Sequence, residues 1–404
     1  MKININPKII DELLTRSVDT VYPTKKHVRD ALLSGKRLTI YTGIDATADY
    51  VHLGHSTNYL LLEKLHQMGH QIIVLVGDFT AMIGDPTDKT TTRSRLTKEE
   101  VLKNLKTFKT QIAKILDFKD KKNPILFKFN SQWLSKLNFA ELADLAANFT
   151  VQQMLERDMF EKRLKENKPL FVHEFFYPLM QGYDSVEMNV DMEIGGTDQT
   201  FNMLAGRTLV RRYLNKEKFV ITTTLLTNPV TGEKMMSKSL GTGIGLNEPA
   251  ENMFGKIMAL PDEGIVQVFI DCTRLSMAEI EDKQKRLKKG ENPRTIKLEL
   301  ALEITKMYHG EKLATSAQEK FISQFSNKEL PTDIPAITLK AGTYPLVDLL
   351  LETKMVVSKS EARRLIEQKG VKINQETYTA KDVVIKQKND LVVQVGKRKF
   401  VKIK

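Results

Sequence analysis

The chain has 404 residues, 41% of them hydrophobic, which is enough for two or three separately cored domains. Its 62 basic residues against 50 acidic ones give a net charge of +12, a balance that favours an anionic partner, with nucleic acid the commonest. The single cysteine, Cys272, excludes a disulfide framework or a cysteine-built metal site within one chain and suits a reducing, cytoplasmic setting.

The first residues, Met1 to Asn6, lack the apolar stretch of a signal peptide, and runs such as Ile72 to Val76 are too short to span a bilayer. Pro7 to Leu33 reads as helical with a break at Pro23. Leu38 to Tyr41 reads as a strand, Thr42 to Val51 as a loop, Leu53 to Met68 as a helix closed by Gly69, and Gln71 to Val76 as a second, buried strand. Strand, loop, helix and strand in this length make a βαβ unit and imply a parallel sheet. Thr97 to Lys168 reads as charged and mainly helical, followed by an aromatic-rich helix over Phe171 to Tyr183. Asp191 to Ile194 and Phe219 to Thr223 are further candidate strands. Residues 228–247 hold a proline, four glycines and several lysines and read as a mobile loop. Helices dominate from Glu248 to Phe325, the longest stopped at Gly310. Residues 327–343 read as a linker. The tail beyond it has short helices near 346–351 and 360–368 and strands near 371–374, 391–395 and 400–403. That tail, 344–404, carries eleven lysines and three arginines against seven acidic residues, so +7 of the chain's +12. A basic module with regular apolar positions suits a domain that grips an RNA backbone.

Two short runs carry phosphate chemistry. His52-Leu53-Gly54-His55 opens the helix of the βαβ unit, where unpaired N–H groups and the helix dipole attract phosphate, and Gly54 leaves room for a nucleoside to approach. By themselves, two histidines at a helix start are ordinary polar residues; their place after a strand and before an apolar helix gives them meaning. Lys234-Met235-Met236-Ser237-Lys238-Ser239 lies in the glycine-rich loop, and a loop delivering ammonium groups can neutralise charge on a leaving pyrophosphate.

Together these runs resemble the two signatures of the class I aminoacyl-tRNA synthetases, a HIGH tetrapeptide and a KMSKS loop. Met235 stands where that family has its first lysine, and whether Lys234 substitutes for it is open. Four further runs narrow the resemblance to the tyrosyl branch: Tyr41-Thr42-Gly43-Ile44-Asp45-Ala46-Thr47-Ala48, with Ala46 in place of a proline; Ile83-Gly84-Asp85-Pro86; Tyr177 to Asp184 with Gln181 inside it; and Gly195-Gly196-Thr197-Asp198-Gln199. The tail resembles an S-four-type RNA-binding domain through Ser358 to Ile366, Gly370 to Asn374 and Gly396 to Phe400.

The resemblance implies an α/β fold: a Rossmann-like parallel-sheet catalytic domain over 1–227, with a helical insertion and then the signature loop at 228–247. An α-helical, anticodon-side domain over 248–326 would follow, and after the linker a small α+β RNA-binding domain over 344–404. It implies an enzyme that joins tyrosine to ATP, releases pyrophosphate and transfers tyrosine to the 3′-terminal adenosine of tRNA(Tyr). Mg2+ would travel with the nucleotide, no metal would be held by the protein itself, and the chain would act as a homodimer. Tyr41 and Asp184 would hold the tyrosine hydroxyl, and Asp85, Tyr177 and Gln181 its α-ammonium. The spacing of Tyr177, Gln181 and Asp184 sets all three on one helical face. Thr47, His52 and His55 would face the ATP phosphates, with Lys89, Arg93 and Lys238 as cationic clamps. Gly43, Asp45, Gly54, Asp198 and Gln199 would lie along the adenylate. Lys359, Arg363, Arg364, Lys397, Arg398 and Lys399 would touch RNA. A nucleotidyltransferase without an RNA substrate leaves the basic tail unexplained, and a tryptophan-specific enzyme leaves Asp184 without a hydroxyl to read.

Overall fold

The structure, a computed structural model, describes residues 2–85, 96–156, 158–236, 241–326, 334–378, 380–385, 391–396 and 399–403. Six strands build the first sheet: β1 (Val18–Tyr22), β2 (Thr39–Asp45), β3 (Gln71–Gly77), β4 (Leu126–Phe129), β5 (Met192–Gly196) and β6 (Phe219–Thr223). Their spatial order is β1-β6-β5-β2-β3-β4. All neighbours run parallel except β1, which is antiparallel to β6. β3 is buried along almost its whole length, and its unbroken Ile72 to Val76 run matches a central strand covered on both faces.

From β2 the chain builds outward through β3 and β4 on one side. It then returns to add β5 and β6 on the other. The connections therefore diverge between β2 and β5, and a doubly wound sheet opens its ligand crevice at the carboxyl ends of such a pair. The helix Leu53–Gln67 follows β2; it starts at His52 in an extended conformation and ends at Met68, before Gly69 at φ 101°.

Two strands escaped the sequence reading. Residues 7–33 hold β1 between the helices Pro7–Leu13 and Lys25–Leu33, and β4 interrupts the helical stretch after Thr97. Both are edge strands of four or five residues, short enough that pairing with β6 or β3, rather than local pattern, decides their conformation. Just before β1, Arg16 donates to three backbone carbonyls of a distant segment, Ile270 (3.0 Å), Thr273 (2.7 Å) and Leu275 (2.5 Å).

The aromatic-rich helix, Phe176–Glu187, packs on the helix Thr200–Leu214. Their crossing is glycine on glycine: a Cβ added to Gly206 would meet Lys218 Nζ at 2.4 Å, Ser185 Oγ at 2.9 Å and the Gly182 Cα at 3.4 Å. The close approach fixes where Gln181 and Asp184 sit relative to the sheet.

The helices from Ala250 to Gln318 belong to the same compact unit as the sheet, Met1–Gln318. The helices expected over 248–326 are thus grouped with the sheet as far as Gln318, and the Arg16 bonds are one link between the two. The second unit, Glu319–Lys404, has a five-stranded sheet in the order β10-β9-β12-β13-β7, where β7 is Ala336–Ile337, β9 Val371–Ile373, β10 Glu376–Thr377, β12 Leu391–Val395 and β13 Lys399–Ile403. Beside it β8 (Gly342–Pro345) pairs with β11 (Asp382–Ile385). Leu349, Leu350, Ala362, Val371, Val393 and Ile403 form a dry core beneath the helices Leu346–Glu352 and Lys359–Glu367. Of the expected linker of 327–343, residues 327–333 lie outside the described residues, and Ala336–Ile337 pairs parallel with β13.

Candidate active site

A cavity of about 970 Å³ opens at the carboxyl ends of β2 and β5. Several of the elements that end there contribute motif residues. β2 supplies Tyr41, Gly43 and Asp45; the following loop supplies Thr47; the helix tip supplies His52, Gly54 and His55. β3 ends in Gly77, where no other residue fits, since an added Cβ would lie 2.0 Å from Asp45 Oδ1 and 2.2 Å from Thr80 Oγ1. Asp85 lines the same cavity, as do Tyr177, Gln181 and Asp184 from one helical face, and Asp198 and Gln199 from the turn after β5.

One group of contacts surrounds Asp184, which is 2% exposed. Trp133 Nε1 donates to its Oδ1 at 2.7 Å and Asn130 Nδ2 to its Oδ2 at 3.2 Å. A carboxylate has about four acceptor positions, so capacity for a further donor remains. Burial pushes its carboxyl well up from the ordinary range, while the Trp133 and Asn130 bonds pull it back down. The Tyr41 and Ser185 hydroxyls lie 2.8 Å apart. Burial, with Glu193 and Asp184 nearby, raises the Tyr41 phenol well above its usual value, so Tyr41 stays a neutral donor.

A second group joins Gln181 to a buried ion pair. Gln181 Nε2 donates to Glu193 Oε1 at 3.0 Å, Lys218 Nζ binds Glu193 Oε2, and Lys218 also donates to the Met203 carbonyl at 3.1 Å. Glu193 and Lys218 are 1% and 0% exposed. Because a carboxylate only accepts, the bond fixes the amide of Gln181 with its nitrogen toward Glu193 and its carbonyl away. Gln181 is thereby set as an acceptor. Nearby, Tyr177 donates to Asp45 Oδ2 at 2.9 Å and Thr80 to Asp45 Oδ1 at 2.7 Å, while Gln199 Nε2 donates to Asp85 Oδ2 at 2.7 Å. Two carboxylates and a carbonyl in one recess make a receptor for a cation.

At the helix tip, His55 Nδ1 accepts from the His52 backbone N–H at 3.2 Å, which leaves Nε2 as the protonated nitrogen of a neutral His55. The two rings stand 3.8 Å apart between centroids. The Leu53 N–H donates to the Ile244 carbonyl at 3.0 Å and the Leu246 N–H to the Val51 carbonyl at 2.7 Å. The start of the histidine helix is therefore joined to residues 244–246, at the far end of the glycine-rich stretch.

The structure brings together every expected tyrosine and adenylate residue. Lys89, Arg93 and Lys238 lie outside the described residues, as do Lys397 and Arg398. In the second unit Lys359, Arg363 and Arg364 are exposed on or beside one helix. Lys359 pairs with Asp348 at 3.0 Å, whereas Lys399 donates to the Met355 carbonyl at 3.0 Å. Sequence reasoning missed Asn130, Trp133, Ser185, Glu193 and Lys218. Of these only Glu193 carried a signal, an acidic residue inside an otherwise apolar strand. Among the described residues, no group of three or more His, Cys, Asp or Glu side chains could hold a metal ion.

Comparison with known proteins agrees with this geometry. Residues 33–326 match the model of the class I tRNA synthetases (W and Y), and residues 327–403 match the tyrosine–tRNA ligase SYY-like C-terminal domain. The tyrosine–tRNA ligase of Carboxydothermus hydrogenoformans is 44% identical over 97% of this chain and 97% of its own length. That of Moorella thermoacetica is 42% identical over 97% and 94%. Among solved structures, a C-terminally truncated mitochondrial tyrosyl-tRNA synthetase of Aspergillus nidulans superposes with a TM-score of 0.66 at 22% identity, covering 78% of this chain and 94% of that one. The enzyme of Archaeoglobus fulgidus, solved with L-tyrosine, gives 0.60 at 21%, covering 78% and 100%. These last two likenesses speak to the fold.

Proposed function

This chain belongs to the tyrosine branch of the class I tRNA synthetases, and from that membership we propose how its residues divide the work. The reaction is the activation of tyrosine by ATP followed by transfer to tRNA(Tyr). The observation that carries the assignment is the single cavity in which Tyr41, Asp184 and the His52–His55 helix tip meet.

Asp184 accepts a hydrogen bond from the tyrosine hydroxyl, and Tyr41 donates one to it. Asp85, Tyr177 and Gln181 receive the α-ammonium. Mg2+ would accompany ATP and supply positive charge beside its phosphates, with no protein-built cage needed to hold it. The adenosine of ATP lies along Gly43, Asp45, Gly54, Asp198 and Gln199, and its phosphates face Thr47 and the histidine tip; Lys89, Arg93 and Lys238 are proposed to close on them. The tyrosine carboxylate is already a competent nucleophile and attacks the α-phosphate in line, so no protein base is required. Rate enhancement then comes from alignment and from donors aimed at the charge leaving with pyrophosphate. In the second step a ribose hydroxyl of the terminal adenosine attacks the activated carbonyl.

The second unit is proposed to hold tRNA through Lys359, Arg363, Arg364 and the Lys397–Lys399 run. A chain ending at Ser326 is expected to keep tyrosine-dependent ATP–pyrophosphate exchange within about threefold, while aminoacylation falls by at least about tenfold. Loss of exchange as well would reassign the unit to folding.

The reading includes a homodimer. Phe139 (87% exposed), Val151, Leu164, Phe171 and Val172 are exposed apolar side chains within 139–172, candidates for the surface that a second copy would cover. Sedimentation as a 46.1 kDa species at working concentration would remove this part. It also places the enzyme in the cytoplasm, where ATP and tRNA meet; secretion of the chain would refute that.

A further inference from the structure

The signature loop lacks its first lysine, and Met235 stands in that place. Residues 234–236 do not all present the same side to the cavity. Lys234 forms an antiparallel bridge with Thr227, and the Met235 N–H donates to the Leu226 carbonyl at 2.8 Å. Lys234 and Met236 line the cavity. The Met236 Cβ lies 3.3 Å from the position a Cβ on Gly54 would occupy, against the histidine tip. Met235 turns the opposite way: it is 7% exposed, and its Sδ lies 2.7 Å from the place of a Cβ on Gly264. A lysine at 235 would have to bury its ammonium in that apolar contact. The Lys234 ammonium sits inside the cavity, 3.2 Å from Asp198 Oδ2.

We infer that Lys234 is a catalytic residue of adenylate formation, supplying the phosphate-facing ammonium that Met235 cannot. The inference rests on the cavity taking tyrosine and ATP as proposed above. Asp198 is the resting partner of the ammonium. Their side chains are 35% and 26% exposed, so the pair is partly hydrated and exchanges easily. When ATP arrives, its phosphates offer more negative charge than one carboxylate. The four-carbon stem of a lysine lets the point charge swing from one to the other, which frees Asp198 for the ribose hydroxyls.

In the chemical step a bond forms between a tyrosine carboxylate oxygen and the α-phosphorus, and the bond from that phosphorus to the β-bridging oxygen breaks. The electron pair of the broken bond leaves with pyrophosphate. Lys234 stabilises the charge gathering there and transfers no proton. An interaction made mainly in the transition state lowers kcat when removed and leaves ground-state binding alone.

The test is single-turnover tyrosyl-adenylate formation, forward and by pyrophosphorolysis, on the full-length chain. Lys234→Ala is expected to slow both directions about 10²-fold or more, with the tyrosine Kd within about twofold of wild type. Lys234→Arg should recover much of the rate, because it restores a cation at that place. The transposed pair Lys234→Met with Met235→Lys should stay slow, since position 235 faces Gly264. Wild-type rates for Lys234→Ala, or full recovery by the transposed pair, would overturn the inference. So would a tyrosine Kd that weakens in step with the rate, because Lys234 would then be holding the pocket's shape. Should wild type itself fail to exchange pyrophosphate, the reading of the cavity falls together with Lys234; exchange in wild type with an unimpaired Lys234→Ala removes Lys234 alone.

Discussion

Replacing Asp184 by alanine is expected to lower kcat/KM for tyrosine activation by roughly 10³-fold, or about 4 kcal/mol, with the KM for ATP within about threefold of wild type. Two costs add. The substrate hydroxyl loses its carboxyl acceptor. Trp133 Nε1 and Asn130 Nδ2, which donate to the two carboxylate oxygens, lose their partner in a site that is almost dry. The same change should narrow the preference for tyrosine over phenylalanine. A pocket that grips a hydroxyl rejects the analogue lacking it by stranding its own polar groups, and tyrosine-over-phenylalanine selection is a well-known instance. Exchange assays with each amino acid measure both effects. Tyrosine activation within threefold of wild type would mean that the hydroxyl is read elsewhere.

Lys218→Met is expected to destabilise the fold by about 3–5 kcal/mol, because it leaves Glu193 as an uncompensated buried charge. Urea unfolding measures the loss. Replacing both partners, Lys218→Met with Glu193→Leu, should return most of it, since a buried ion pair exchanged for apolar groups of similar volume is often neutral. The paired variant should nevertheless raise the KM for tyrosine by about tenfold, near the 1.4 kcal/mol that an ordinary hydrogen bond contributes. The reason is that Gln181 no longer has a carboxylate to orient its amide. A single variant costing less than about 1 kcal/mol would show that water or a rearranged partner already screens Glu193.

The contrast between these two sites explains what could be read from the chain alone. Tyr41, Asp85, Gln181 and Asp184 are legible because each stands as a polar side chain inside a short run whose neighbours set its direction. The helical spacing of Tyr177, Gln181 and Asp184 needs no tertiary knowledge. Asn130 and Trp133 meet Asp184 from the residue after β4 and the short helix Ser131–Leu134 that follows, and Lys218 meets Glu193 from the residue before β6; nothing local marks them. The same holds for β1, whose Val18–Tyr22 run is extended because β6 offers it an edge. Lys234 shows a subtler limit. Two adjacent residues in one loop differ in which side of the backbone they present, and that was decided only by the bridge to Thr227.

The family match starts at residue 33, but the folded body starts earlier. Arg16 holds three carbonyl oxygens around residues 270–275, and β1 covers the outer edge of β6. A chain trimmed to the matched segment would leave those oxygens without donors and bare a row of strand N–H and C=O groups, a surface on which sheets of separate molecules join. The family model here marks only part of the folded unit; the part that must be expressed together is larger.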